Sequence, residues 1–248
     1  MKDLFGYTLL IWISCQNLSA ATVESPYIPP ILQGNSSSPW PLLFDGSPSL
    51  RYQQVYAATD FGSLAQQGGG MITQIKFFIE PGLPPIDFRY DLQINLSTTT
   101  KAPDRLNTLF SANIGSDDTT VFPRQTFTML NAGSIVIPLQ HPFYYSGLSG
   151  QNLLLDVRNY GGAFNIDYGN PALDAVKTDG DSVSSVAVRD VTADVGFLET
   201  KGVVTEFTFS PVPEPMFLPL IGVGLVTFLV FRKKKRLDPA LHKKDLCR

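Results

Sequence analysis

From Tyr90 to Ser97 apolar and polar positions alternate without a break: Tyr90, Leu92, Ile94 and Leu96 against Asp91, Gln93, Asn95 and Ser97. Successive side chains of an extended chain point to opposite faces, so this period of two predicts a strand buried on one side. Val203–Ser210 repeats it, with Phe207 and Phe209 facing one way and Glu206 and Thr208 the other. In Met71–Glu80 the residues Met71, Ile75, Phe77 and Ile79 share a face, while Ile72 and Phe78 interrupt the other, predicting cover on both sides. Arg51–Ala58, Thr119–Met129, Ser134–Leu139, Asn152–Tyr160 and Ser182–Asp190 are further strand candidates. Turns are expected at Gly68-Gly69-Gly70, Gly82 with Pro84-Pro85, Asn131-Ala132-Gly133, Gly161-Gly162 and Asp179-Gly180-Asp181. No helical period and no internal repeat stands out. Short strands separated by such turns predict an all-β body over residues 42–210, an antiparallel, jelly-roll-like β-sandwich.

Residues 22–41 break the pattern. Pro26, Pro29, Pro30 and Pro39 punctuate a run that includes Gly34-Asn35-Ser36-Ser37-Ser38, and proline fixes φ and removes a donor. A linker with little regular structure before about Leu42 is expected. Residues 1–21 have the composition of a secretory signal peptide: Lys2, a mostly apolar run from Leu4 to Cys15, then small Ser19-Ala20-Ala21. Cleavage after Ala21 fits best; retention as an anchor and lipidation at Cys15 are the alternatives.

The far end carries a second apolar segment in a fixed arrangement. Val212-Pro213-Glu214-Pro215 comes first, then Met216–Phe231 without a charge, then the basic run Arg232, Lys233, Lys234, Lys235 and Arg236. Sixteen helical residues span about 24 Å at about 1.5 Å each, short of a hydrocarbon core of about 30 Å. Snorkelling by Arg232 and Lys233, or local thinning of the bilayer, covers the difference. One C-terminal transmembrane helix over 216–231 is therefore expected, with 237–248 as a cytoplasmic tail. Residues 211–236 resemble the PEP-CTERM sorting signal, in which a Pro-Glu-Pro motif, a short transmembrane helix and a basic cluster follow one another. That resemblance implies recognition of Val212, Pro213, Glu214 and Pro215 by an exosortase-type membrane protease and export to a bacterial surface or exopolysaccharide matrix. It says nothing about the body.

Charge agrees with this orientation. Thr22–Pro211 holds ten Lys and Arg against eighteen Asp and Glu, a net −8, whereas Arg232–Arg248 holds eight against two, a net +6. A short segment rich in Lys and Arg is what keeps a membrane end in the cytoplasm. An acidic exterior lacks the basic footprint of a nucleic-acid binder. The two cysteines, Cys15 and Cys247, both lie outside the body, so its stability must come from packing without a disulfide.

Chemistry within the body is sparse. His141 is its lone histidine and has no Cys or second His to complete a zinc site. Gly147-Leu148-Ser149-Gly150-Gln151 departs from a nucleophile elbow at the second glycine. Asp174, Asp179, Asp181 and Asp190 form the most acidic stretch. Asp179 and Asp181 are weak calcium candidates, without the EF-hand pattern, and a solvated turn is the plainer account. Phe143, Tyr144 and Tyr145, with Tyr160, Phe164 and Tyr168, offer aromatic faces for sugar rings or else ordinary core packing. No cofactor is expected. The sequence thus points to a non-enzymatic adhesive, structural or glycan-binding module, exported and membrane-held, with the membrane, an exosortase-type protease and exopolysaccharide as partners. The alternatives are an exported carbohydrate-active enzyme using a carboxylate pair and a permanently anchored single-pass membrane protein.

Overall fold

A computed structural model describes residues 20–27, 34–38, 41, 49–80, 86–164 and 172–212. The signal peptide, the Pro-Glu-Pro motif, the apolar run 216–231 and the basic run 232–236 lie outside the described residues. No helix among the described residues is long and apolar enough to cross a membrane.

The body is all-β and antiparallel. Its strands are β1 (Ala21–Ser25), β2 (Ser36–Ser38), β3 (Leu50–Tyr56), β4 (Gly70–Phe78), β5 (Ile86–Thr99), β6 (Thr119–Ala132), β7 (Ser134–Tyr145), β8 (Asn152–Phe164), β9 (Leu173–Lys177), β10 (Val183–Val188), β11 (Phe197–Glu199), β12 (Lys201–Val203) and β13 (Thr205–Ser210). They form a four-stranded sheet ordered β1-β13-β4-β7, a six-stranded sheet ordered β11-β10-β3-β8-β5-β6 and a three-stranded sheet ordered β12-β9-β2. A 3-10 turn, Ala58–Phe61, runs into a single-turn helix α1, Gly62–Gln66, between β3 and β4.

One hydrophobic core takes side chains from both larger sheets: Tyr52, Tyr56, Leu92, Ile94, Leu96, Leu153 and Leu155 from the six-stranded sheet, Ile72, Ile75, Phe77, Ile135, Ile137, Phe207 and Phe209 from the four-stranded one. Tyr56 meets Phe207 edge-on at 5.0 Å between ring centres, and Phe61 meets Tyr145 in the same way at 5.0 Å. Each such ring fully buried contributes about 1.5–3 kcal/mol from area alone, and edge-to-face contact adds about 0.5–1.5. The alternation read in β5 and β13 is the alternation observed: Tyr90, Leu92, Ile94 and Leu96 are buried, as are Phe207 and Phe209.

Four expectations need correction. Met71–Glu80 is not covered on both faces. A bulge between Ile72 and Gln74 shifts the parity, so Ile72 joins Ile75 and Phe77 inside, while Met71 and Phe78 remain half-buried outside. Gly161-Gly162 is not a turn; both lie within β8, where a register shift opposite Asp91 and Leu92 holds Gly161 at φ 140. Residues 22–41 are not without regular structure. Val23 pairs with Phe207 in the β1–β13 ladder, and Ser36–Ser38 pairs with β9. Backbone hydrogen bonding needs no apolar alternation, so five residues beside a proline and three serines become strands once a partner edge is offered. The folded body therefore starts at the N-terminal edge strand, not at residue 42.

Candidate functional site

The loop between β5 and β6 folds back over the outer face of the six-stranded sheet. Its seat is a buried polar network. Asp156 on β8 is 3% exposed and accepts hydrogen bonds from Arg51 Nη2 at 2.7 Å and Gln53 Nε2 at 3.0 Å, both on β3. Gln53 in turn accepts from Asn113 Nδ2 at 3.0 Å, and Asn113 Oδ1 accepts from the Asn107 amide at 2.7 Å. Phe110 lies under the Arg51 guanidinium, whose carbon stands 4.5 Å from the ring centre. A buried carboxylate is tolerable only when its oxygens are filled, and these are.

Pinned this way, the loop forms one wall of a polar groove of about 270 Å³. Thr98, Thr99, Thr100 and Lys101 line one side, Ala112–Ser116 the other, and Gly150 and Gln151 close the end. Asp117 fixes the rim, accepting from the Thr98 amide at 2.8 Å and from the Thr98 hydroxyl at 2.9 Å. Gly115 is required at the closest approach: a Cβ there would stand 1.8 Å from the Thr98 carbonyl oxygen. Threonine and serine hydroxyls, the Gln151 carboxamide and the Lys101 ammonium line the groove, while the Asn113 carboxamide is taken up by Gln53 and Asn107 and the Asp117 carboxylate at the rim by Thr98. Such a surface can bind a polyhydroxylated ligand through paired donors and acceptors.

Of the calcium candidates, Asp181 is engaged within its own turn. Asp181 accepts from the Thr178 amide at 3.2 Å through one oxygen and from the Val183 amide at 2.9 Å through the other. Asp179 is exposed in the same turn, and Gly180 donates to Asp104 at 3.0 Å. No group of three or more metal-ligating side chains occurs among the described residues. Asp174 is tied to β2, accepting from the Gly34 amide at 2.9 Å, and burial pushes its carboxyl up. Asp190 closes its own turn, accepting from Thr192 through hydroxyl and amide, which hold its carboxyl down.

The aromatic candidates separate. Phe143 and Tyr145 are core residues, and the Tyr145 hydroxyl donates to the Gln151 carbonyl at 2.7 Å. Tyr160 carries the Arg124 guanidinium over its ring at 3.8 Å, so that face is occupied. Tyr144 is 48% exposed, its hydroxyl donating to the Gly68 carbonyl at 2.8 Å. The side chains of Phe164 and Tyr168 lie outside the described residues. His141 is exposed on β7, and Ser149 is exposed in the turn that follows. Of the sorting motif only Val212 is described; it is 41% exposed, two residues past β13.

The threonine-lined groove was not visible in the sequence. Its lining comes from the end of β5, the β5–β6 loop and the turn at Gly150 and Gln151, about fifty residues further on, and the one local signal was the run Ser97-Thr98-Thr99-Thr100 ending an alternating strand. No known family model matches the chain, and no curated protein matches it.

Proposed function

We propose that the chain is an exported bacterial surface or extracellular-matrix protein, built on a jelly-roll-like β-sandwich and sorted through its C-terminal PEP-CTERM-like tail. The body is a non-enzymatic glycan-binding module. The observation that carries this reading is where the body stops. Its last strand, β13, is interior to its sheet and ends at Ser210, with Phe209 still in the core. Three residues later the Pro-Glu-Pro motif begins. Pro213 and Pro215 disfavour helix in this charged tripeptide just ahead of the apolar run, which suits it to recognition by a membrane protease.

Glycan binding is favoured over hydrolysis because the lining offers hydroxyls and an amide, and the carboxylate at the rim, Asp117, is held by the Thr98 amide and hydroxyl without a second carboxylate in the lining to form an acid–base pair. Incubation of the purified body with polysaccharides separates these readings. Saturable binding without products supports the module, and turnover supports the enzyme. For sorting, the test is fractionation of cells that contain an exosortase. The wild-type chain is expected to leave the membrane fraction and Glu214→Ala to remain in it; a wild-type chain that also stays would leave the permanent anchor.

A further inference from the structure

The side chains of the polar groove divide unequally into donors and acceptors, because its strongest acceptors are already engaged within the fold. The Asn113 carboxamide oxygen accepts from the Asn107 amide at 2.7 Å. That of Gln151 accepts from the Ser146 hydroxyl at 2.8 Å, which leaves Gln151 Nε2 to donate. At the rim both Asp117 oxygens are held by Thr98, one by its amide at 2.8 Å and the other by its hydroxyl at 2.9 Å.

Lys101 is the opposite case. Its backbone is fixed on both sides, the amide donating to the Thr99 hydroxyl at 3.1 Å and the carbonyl accepting from Asn152 Nδ2 at 2.8 Å. The side chain, half-buried in the groove wall, makes no ion pair or hydrogen bond among the described residues. Other cations of the body are matched: Arg51 by Asp156, Lys76 by Glu206, Arg124 by Asp91 and Lys201 by Glu199. An ammonium has three donors and no acceptor. Here it stands in a recess of about 270 Å³ with its charge unanswered, beside the exposed residues Thr100 and Ser116.

We infer that the groove takes an acidic polysaccharide: a sugar carboxylate is received by Lys101 Nζ and Gln151 Nε2, and sugar hydroxyls by Thr100 and Ser116. The inference rests on the proposed glycan-binding role and adds the class of glycan. An ionised carboxylate offers acceptors alone, which is what a surplus of donors selects, and charge strengthens each bond. The recess lies just below the range of about 300–1,000 Å³ typical of small-molecule sites, so it suits one unit of a chain rather than a long stretch. Thr22–Pro211 carries a net −8, so a polyanion gains nothing from the field of the body as a whole. A preference for acid over ester has to arise at the groove, within the screening length of about 8 Å at physiological salt.

The test is equilibrium binding of the detergent-solubilised full chain to polygalacturonate, to its methyl ester and to dextran. Lys101→Gln removes the charge and Lys101→Arg keeps it. Ala112→Trp obstructs the recess from an exposed position in its wall. Urea midpoints establish that each variant is folded. The wild type is expected to prefer the acid to the ester by about tenfold, the worth of one charge-assisted hydrogen bond. Lys101→Gln is expected to abolish that preference, Lys101→Arg to retain it and Ala112→Trp to weaken binding of the acid. Wild-type affinity for the acid no greater than for the ester, or a preference that survives Lys101→Gln or Ala112→Trp, would overturn the inference while leaving the glycan-binding module. No saturable binding to any of the three polysaccharides would overturn both.

Discussion

Gln54 and Val203 pair as two peptide groups would. The Gln54 carboxamide donates from Nε2 to the Val203 carbonyl at 2.9 Å, and its Oε1 accepts from the Val203 amide at 2.8 Å. Both residues are fully buried. At this point the chain leaves β12 in the small sheet and enters β13 in the four-stranded one, so the Val203 backbone has no strand partner on that side. The side chain of a residue in the six-stranded sheet supplies it, and all three sheets meet at one amide. The hydroxyl of Tyr52 also donates to Gln54, and that of Tyr56 bonds with Thr205 at 2.7 Å.

Gln54→Leu keeps the volume and removes the acceptor of the Val203 amide, while the Val203 carbonyl keeps the Thr205 hydroxyl at 3.1 Å. A buried donor left unsatisfied costs about 1–3 kcal/mol. A loss of that order, about 1–3 kcal/mol, in urea unfolding is expected. Gly202→Ala, next in the chain, is expected to destabilise by a different route, because its Cβ would stand 2.8 Å from Val183 Cβ and 3.1 Å from the Gln54 carboxamide carbon. A wild-type midpoint for Gln54→Leu would remove this junction from the account of stability.

Asp156→Ala leaves the Arg51 guanidinium, 11% exposed, without its carboxylate. Breaking a buried pair from one side costs about 3–5 kcal/mol. The groove wall rests on the same network through Gln53 and Asn113, so polysaccharide binding by the surviving folded fraction is expected to weaken as well. Calorimetry and binding by isothermal titration on the same sample read the two effects separately.

Much of the fold was legible in the sequence where burial is one-sided and the strand regular. β5 and β13 follow from alternation alone. In β4 the bulge at Ile72 hid the inward residue, because parity is a local count and one extra residue reverses it. β1 and β2 were illegible for another reason. Their pairing is by backbone, and the partner edges on β13 and β9 lie about 180 and 140 residues further along the chain. The site divides in the same way. The turn at Asp179–Asp181 was readable as a turn, whereas Arg51 and Asp156, 105 residues apart, become one network only when β3 and β8 pair.

The N-terminal edge strand gives a direct check on that correction. Val23 packs against the core, and Ser25, fully buried, donates its hydroxyl to Asp60. A body spanning Thr22–Pro211 is expected to melt cooperatively, unaffected by reductant. One starting at Leu42 loses β1 and β2, uncovers the β13 edge, and is expected to melt several degrees lower. Equal melting temperatures would show that the two strands add nothing.

The pH dependence of stability has an unusual sign. Burial raises the carboxyls of Asp60, Glu80, Asp118, Asp174 and Asp181 above their ordinary values, partly offset at Asp60 by the hydroxyls of Ser25 and Ser182. A group that binds its proton more tightly when folded contributes stability as pH falls from its raised folded value toward its unfolded value near 4. Through these five groups the body gains stability on mild acidification and loses it on return to neutrality. The urea midpoint at pH 5 is expected to equal or exceed that at pH 7, and Asp60→Asn is expected to flatten the profile. A clear fall at pH 5 would contradict this.

The central claim is that the folded body ends at Ser210 so that the segment beyond it can be read and cut. Intact mass of the exported protein, purified from cells that contain a matching exosortase, measures this directly. A species lacking Met216–Arg248, and retention of those residues in Glu214→Ala, is the predicted result. A wild-type species in the same cells that still ends at Arg248 would contradict it.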